Sequence, residues 1–486
     1  MSALRKSKRW IVLAAIATST VISYTYSTFQ STAVDLTKQQ LEDLLTISTG
    51  PHVGASWTDG DGSDNPIAVF GTASHPILID DTMIVDQRTG VIQVGDTEGS
   101  TFNLALLKLP HGSEFGFLGV ARGPTIKHDF LVVNGFRARE QSLVAFGMNL
   151  TSAGQLQVVT PTHKLDIPMV PREGCLWTGQ WAATYGPEDP RLFWTDAGTP
   201  ALTYGGFADE TENCRTVIFV SDMRHIYAPL AQALKGKIAP PTIQPGDSIH
   251  KSLHRAVGHG RNEKNWVAFY PGSTPNPLGV VPHIHYSFAP MRRLEPAFTT
   301  PRLVEYHDII DIDKSREHCV AKAHPEFGWN PIHQATPMYR LTLCARGCLA
   351  TDHNTILITV GHMKLKPRYA KYFVAFNSTP PYDAISVGPL FSLGEYMFSI
   401  SADDLTAGLD DAKHINYALT LAPIQDADMA ATSKPIATPV KYLDNHFFID
   451  DDVLLTMGHD DDAMYSTMFP VRDAIGRMKL CSEIPA

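Results

Sequence analysis

Tyr185-Gly-Pro-Glu-Asp-Pro-Arg-Leu-Phe193 joins a turn to an apolar run, and within four residues it carries two carboxylates, Glu188 and Asp189, and one guanidinium, Arg191. Pro190 fixes φ at about −65° and donates no hydrogen bond, so it fits the first residues of a strand and stiffens the turn before it. The residue before a proline is biased towards extended backbone, which predicts an extended Asp189 with its carboxylate aimed off the strand axis. A fixed carboxylate beside an arginine fork is what moving a proton next to a phosphate or a sugar hydroxyl requires. Read alone, the same four residues also describe a surface turn closed by a Glu188–Arg191 ion pair.

Working outward, short apolar runs recur on both sides: Ala105-Leu-Leu-Lys-Leu109, Phe117-Leu-Gly-Val120, Phe130-Leu-Val-Val133, Leu143-Val-Ala-Phe146, Val217-Ile-Phe-Val220, Trp266-Val-Ala-Phe269, Ile356-Leu-Ile-Thr-Val360, Tyr372-Phe-Val-Ala-Phe376 and Val453-Leu-Leu455. Gly, Pro, Asn and Asp clusters separate them. Long helical periodicity is nearly absent after a short stretch, 36–47, with Leu41, Leu44 and Leu45 on one side. Many short strands predict an all-β chain: a sandwich, a barrel or a propeller. No strict sequence repeat chooses among the three.

The chain has 40 basic and 50 acidic residues in 486, a formal charge of −10, which argues against a nucleic-acid partner. Arg5, Lys6, Lys8 and Arg9 precede an apolar run over 10–29, and no acidic residue occurs before Asp35. That run suits a single bilayer span of about 20 residues with a cytosolic N-terminus. The organisation expected is a tail at 1–9, a transmembrane signal anchor at 10–29, a stem at 30–50 and a luminal body at 51–486, in the Golgi or elsewhere in the secretory pathway. A signal peptide cleaved near Ser31-Thr-Ala33 is the rival, and would give a secreted protein. Six cysteines without a Cys-x-x-Cys make disulfides the expectation in an oxidising lumen. Cys175 and Cys214 bracket the Glu-Asp-Pro-Arg segment, but the pairing of all six is not readable. The sequons at Asn149 and Asn377 agree with a luminal glycoprotein.

Four further segments accompany the Glu-Asp-Pro-Arg turn. Phe117-Leu-Gly-Val-Ala-Arg122-Gly-Pro124 is a strand ending in arginine; Asn262-Glu-Lys264-Asn265-Trp266 precedes an apolar run; Arg340 opens a stretch leading through His362 to Phe376; and Leu454-Leu-Thr-Met-Gly458-His-Asp-Asp461 lies near the end. In order and spacing these resemble the β-mannoside phosphorylases of glycoside hydrolase family 130 and, more closely, the fungal β-mannosyltransferases of glycosyltransferase family 91, over roughly residues 100–475. The resemblance implies a five-bladed β-propeller with its active site at the mouth of the central channel. It implies that Asp189 carries the proton, that Glu188 and Arg191 orient the mannosyl unit, and that Lys264 contacts phosphate. Asn265 would bond a sugar hydroxyl, and Arg122, Arg340, His362 and Asp461 would converge on sugar or phosphate. Trp266 is expected to pack in its blade. The stretches 228–261 and 294–331 read as insertions forming rims.

The function so implied is inverting transfer of mannose from GDP-mannose to mannan or another mannose-containing oligosaccharide, with β-1,2 linkage, in cell-wall or glycoprotein glycan synthesis. A β-mannoside phosphorylase or hydrolase on the same fold, and a mannan-binding lectin without turnover, are the alternatives. Asp-x-Asp pairs at Asp59/Asp61, Asp311/Asp313, Asp450/Asp452 and Asp460/Asp462 would be needed for a metal-dependent nucleotide-sugar transferase. No Gly-rich strand–helix fingerprint accompanies them, so neither a cofactor nor an obligatory metal is expected.

Overall fold

The computed structural model describes residues 68–69, 84–86 and 91–93 and most of 101–484. The internal stretches outside the description are 134–135, 151–155, 169–183, 207–214, 244–245, 257–262, 272–279, 289–290, 310–318, 324–331, 366–367, 389–390, 393–415, 425–445, 460–462 and 477. Within these limits the regular secondary structure is almost wholly β-strand, as expected. Most strands are short, and Val, Ile, Leu and Phe recur in them, residues that pack well on a pleated, buried surface.

Five antiparallel meanders follow one another along the chain. The first runs through Phe102–Lys108, Phe117–Arg122, Leu143–Leu150 and Leu156–Val158. The second runs through Glu188–Trp194, Pro200–Gly206, Thr216–Val220 and His250–Arg255. The third is Val267–Phe269, His283–Phe288, Met291–Thr299 and Leu303–Asp308. In the fourth, Ile332–Gln334 and Tyr339–Thr342 both pair with Thr355–Leu365, followed by Arg368–Asn377 and Ala384–Val387. The fifth joins Asn416–Ile424, Asp452–His459 and Ala463–Pro470, and then takes Val91–Gln93 and Ile84–Asp86 from far upstream.

The leading strands of different meanders meet. Phe102–Lys108 packs against Glu188–Trp194 and Asn416–Ile424, and the latter two also touch. Cores form between neighbouring meanders: Leu118, Val120, Leu192, Leu202 and Ile218 share one, and Phe193, Phe219, Trp266, Leu294 and Tyr306 share the next. Trp266 is buried there, as expected. The second and third meanders also join at their far ends, where His250–Arg255 pairs in parallel with Leu303–Asp308.

Two expectations change. The stretches 228–261 and 294–331 are not only rims: they contain His250–Arg255 and Leu303–Asp308, which complete two meanders, because both carry buried apolar residues (Leu253, Val304, Tyr306) at strand spacing. The single-pass luminal membrane assignment is corrected: among the described residues no helix is long and apolar enough to cross a membrane. The 10–29 run, the 30–50 stem and the helix at 36–47 lie outside those residues, as do Cys175 and Cys214. Disulfides join Cys319 to Cys481 and Cys344 to Cys348.

Candidate active site

The Glu-Asp-Pro-Arg strand does not begin as the proline rule predicts. Its register against Pro200–Gly206 shifts between Glu188 and Arg191, and Asp189 takes φ +50° within that bulge. Left-handed backbone costs an L-residue about 1–2 kcal/mol, least for Asn and Asp. Asn103 (φ +57°) and Asn265 (φ +60°) share this conformation. Three of the four non-glycine residues with positive φ among those described therefore gather at one place, where local strain redirects side chains out of their sheets.

The bulge delivers the Asp189 carboxylate into a polar cluster. Asn103 Nδ2 donates to Asp189 Oδ1 at 3.1 Å, and Arg122 Nη1 stands 3.5 Å from the same oxygen. Arg122 is held in turn: its Nη2 donates to Gln141 Oε1, and its guanidinium lies 4.3 Å from the centre of the Phe102 ring. Two glycines permit this packing. A Cβ at Gly458 would fall 1.6 Å from Asn103 Oδ1, and one at Gly186 (φ +106°) would fall 2.1 Å from the Gln141 carbonyl oxygen.

Glu188 points to the other side. It is buried, and its Oε2 meets the equally buried Arg215 Nη2, with Lys264 Nζ at 3.6 Å. Burial alone would raise the Glu188 pKa, but Arg215, Arg122 and Lys264 outweigh it and hold it at about 2. Glu188 does not pair with Arg191, as the surface-turn reading would have it. Arg191 Nε donates to the Ala335 carbonyl at 2.8 Å, Nη1 to the Asp189 carbonyl at 3.2 Å, and Nη2 to Tyr417 Oη at 2.9 Å and Asn265 Oδ1 at 3.4 Å. Tyr417 donates its hydroxyl hydrogen to Asn265 Oδ1, closing a ring of three. Burial raises the Tyr417 pKa above the usual tyrosine range; Arg191 lowers it, and the Asp189 carboxylate pushes it up again.

Glu188, Asp189, Arg191, Arg215, Lys264 and Asn265 line one small, partly open cleft. Four cations (Arg122, Arg191, Arg215, Lys264) face two carboxylates in this cluster, so it carries an excess of positive charge that suits an anion. Lys264 is the most exposed of the four, with a side chain 39% accessible. Its neighbour Glu263 serves packing: it accepts from Trp266 Nε1 at 3.2 Å and from the Tyr286 hydroxyl at 2.9 Å.

The structure thus brings together Asp189, Glu188, Arg191, Lys264, Asn265 and Arg122, from three meanders. It does not bring Arg340 there. Arg340 lies at the far end of the Glu-Asp-Pro-Arg strand, donating to the Pro271 carbonyl with Asp196 at 3.4 Å. Asp196 follows Asp189 by seven residues, a span of roughly 20 Å in a strand. His362 lies beneath the site rather than on its wall: it is wholly buried, and its Nε2 accepts from Ala418 N–H at 3.1 Å. Burial, helped by His333, Lys371 and Arg191, pushes its pKa well down, so the ring is neutral. Asp461 falls outside the described residues, together with the Asp59/Asp61, Asp311/Asp313 and Asp460/Asp462 pairs. Asp450 of the remaining pair accepts from the Arg346 backbone N–H at 2.7 Å, and the intervening Asp451 is ion-paired with Arg346. No group of three or more His, Cys, Asp or Glu that could hold a metal ion occurs among the described residues.

Sequence reasoning missed Arg215, Asn103, Gln141 and Tyr417. Arg215 immediately precedes the Thr216–Val220 strand, and Asn103 interrupts an apolar one; a lone polar residue at such a place was the available signal. Tyr417 gave none, since a tyrosine in a strand is ordinarily packing.

No family model matches the chain, and neither does any curated protein. Among solved structures it is similar to a glycosyl hydrolase from Bacteroides ovatus (12% identity, covering 89% of this chain and 97% of that one, TM-score 0.34). It is also similar to the β-1,2-mannobiose phosphorylase of Listeria innocua (8% identity, 79% and 94% covered, TM-score 0.38) and to MPT-4, a mannose phosphorylase from Leishmania mexicana (8% identity, 85% and 92% covered, TM-score 0.32). At such identities and scores the likeness assigns neither a family nor an activity.

Proposed function

We propose that this chain is a glycosyl-transferring enzyme that moves a mannosyl unit, with inversion, between a phosphate leaving group and a sugar hydroxyl, and that Asp189 is its general base. The observation that carries the reading is the Asp189 carboxylate, set out of its strand by a left-handed backbone and fixed at Oδ1 by Asn103 and Arg122, at the wall of a cation-rich cleft. Preorganised charge of this kind accelerates reactions that develop charge in the transition state.

In the reaction proposed, the acceptor hydroxyl attacks C1 of an α-mannosyl phosphate as Asp189 takes its proton. The bond from C1 to the phosphate oxygen breaks with its electron pair on that oxygen, and a β-mannoside forms. Lys264 and Arg122 stabilise the departing phosphate, while Arg215 acts mainly by holding Glu188 ionised. Arg191 and Asn265 orient the sugar. One carboxylate suffices, since the attacking hydroxyl needs only a base and phosphate is a competent leaving group. Five successive meanders, with the leading strands of the first, second and fifth meeting one another, support a five-bladed propeller with the site beside that junction.

GDP-mannose is the donor we favour, and a mannose-containing oligosaccharide the acceptor. The cleft also suits free phosphate, which would make the enzyme a β-mannoside phosphorylase running the same step in either direction. Incubating the protein separately with GDP-mannose, mannose 1-phosphate and mannan oligosaccharides, with product NMR, separates these. A β-mannosidic product from GDP-mannose alone supports the transferase; product from mannose 1-phosphate alone supports the phosphorylase. No product from either donor in a folded protein overturns both and leaves a mannan-binding lectin, which would need no base.

A further inference from the structure

Arg191 and Asn265, at the wall of the cationic cleft, share the Tyr417 hydroxyl. Beside them stand three half-buried rings, Tyr417, Tyr369 and His333, contributed by two different meanders. Tyr369 meets Tyr417 edge-on, with centroids 5.7 Å apart and planes at 90°. His333 lies nearly parallel to Tyr417 at 6.1 Å and 25°, and perpendicular to Tyr369 at 5.3 Å and 74°. His362, fully buried, backs this corner, 4.7 Å from Tyr417 and 5.2 Å from Tyr369. Tyr417 links the cleft to the corner, since its hydroxyl bonds Arg191 and Asn265 while its ring packs with Tyr369 and His333.

Such a corner is at odds with a purely structural role. Rings placed for packing alone are commonly buried, as Tyr339 and Tyr372 are here, whereas these three keep part of their surface in solvent beside a polar cluster. Aromatic faces with polar tips recognise ligands that are apolar on one face and rich in hydroxyls at the rim, which describes a pyranose. A phosphate would gain little here, because the negative face of a phenol repels an anion. We infer that Tyr417, Tyr369 and His333 form the acceptor subsite, in which a pyranose of the acceptor oligosaccharide stacks on the tyrosine rings and presents its hydroxyl to Asp189. This deepens the proposed function and rests on it for the identity of the reaction, but binding of a sugar in the corner stands apart from turnover.

The test compares Tyr369→Leu with Tyr369→Phe, because the two variants separate the ring from its hydroxyl. Mannotriose is the probe, and its binding is measured without donor by saturation-transfer NMR and titration calorimetry. Tyr369→Leu is expected to weaken mannotriose binding about tenfold, and Tyr369→Phe less than threefold. In turnover, the acceptor KM should rise about tenfold in Tyr369→Leu while the donor KM changes less than twofold. Unchanged mannotriose affinity, equal losses in both variants, or a donor KM rising in step with that of the acceptor would overturn the subsite. If the protein proves inactive with every donor yet binds mannotriose in a Tyr369-dependent manner, the subsite stands and the proposed reaction falls.

Discussion

Replacing Arg215 by Met tests the electrostatic arrangement directly. Glu188 and Arg215 are 4% and 5% exposed, so the substitution leaves a carboxylate buried without its principal counter-charge. Removing one partner of a buried pair costs roughly 3–5 kcal/mol. Proton linkage gives an independent figure, since lowering the Glu188 pKa from 4.5 to about 2 corresponds to about 3 kcal/mol of stabilisation at neutral pH. The sign follows from the depression: this contribution is complete above pH 4.5 and disappears as pH falls through 4.5 towards 2. Urea unfolding of the wild type, Arg215→Met, Glu188→Gln and the double variant, at pH 7 and at pH 3, measures it. At pH 7, Arg215→Met should lose about 3 kcal/mol or more, and the double variant should recover part of that loss because no uncompensated charge remains. The gap between wild type and Glu188→Gln should narrow at pH 3. A loss below 1 kcal/mol at pH 7, or a double variant less stable than Arg215→Met alone, would refute the reasoning.

Asp189→Asn keeps the shape and the Asn103 contact but cannot accept a proton, so turnover should fall at least ~100-fold with donor binding retained; near-normal turnover removes Asp189 from the chemistry. Lys264→Ala should lower kcat and raise the donor KM by about tenfold each, and no change in either would make Lys264 a surface cation beside Glu188. In the proposed reaction Lys264 and Arg122 neutralise the departing phosphate, so EDTA should leave most activity intact and the product should be β-linked. Loss of activity reversed by Mn²⁺ would instead return attention to the Asp-x-Asp pairs. His283 and His446 are held neutral by burial, with pKa values of about 4 and about 3. Their contribution to stability is whole above pH 6.5 and is lost as pH falls through those values, so His283→Gln should flatten the acid limb of the unfolding profile.

Much of this site was legible because its chemistry sits in contiguous motifs. Glu188, Asp189 and Arg191 share one strand, and Lys264 and Asn265 lead into another, so the turn and strand signals located both. What escaped was long-range or conformational. Arg215 gains meaning only because Glu188 points at it, and Tyr417 only because its hydroxyl reaches Arg191, 226 positions away in sequence. The proline rule gave the wrong backbone for Asp189, since a bulge overrode the preference of the residue before proline. Arg340 looked equivalent to Arg122 on the page, yet which end of a strand an arginine occupies depends on strand order, and it emerged at the opposite end of the sheets.

The parallel pairing of His250–Arg255 with Leu303–Asp308 has a consequence for association between molecules. An outermost strand ordinarily leaves a row of N–H and C=O groups ready to take on a strand from another copy. Here the two outer strands spend those groups on each other, which removes two templates for edge-to-edge aggregation. The same seam makes the second and third meanders one mechanical unit, so that amide protons along both strands should exchange together rather than meander by meander. Through that seam, the strand that carries Asp189 and the loop that carries Lys264 are braced from behind as a pair.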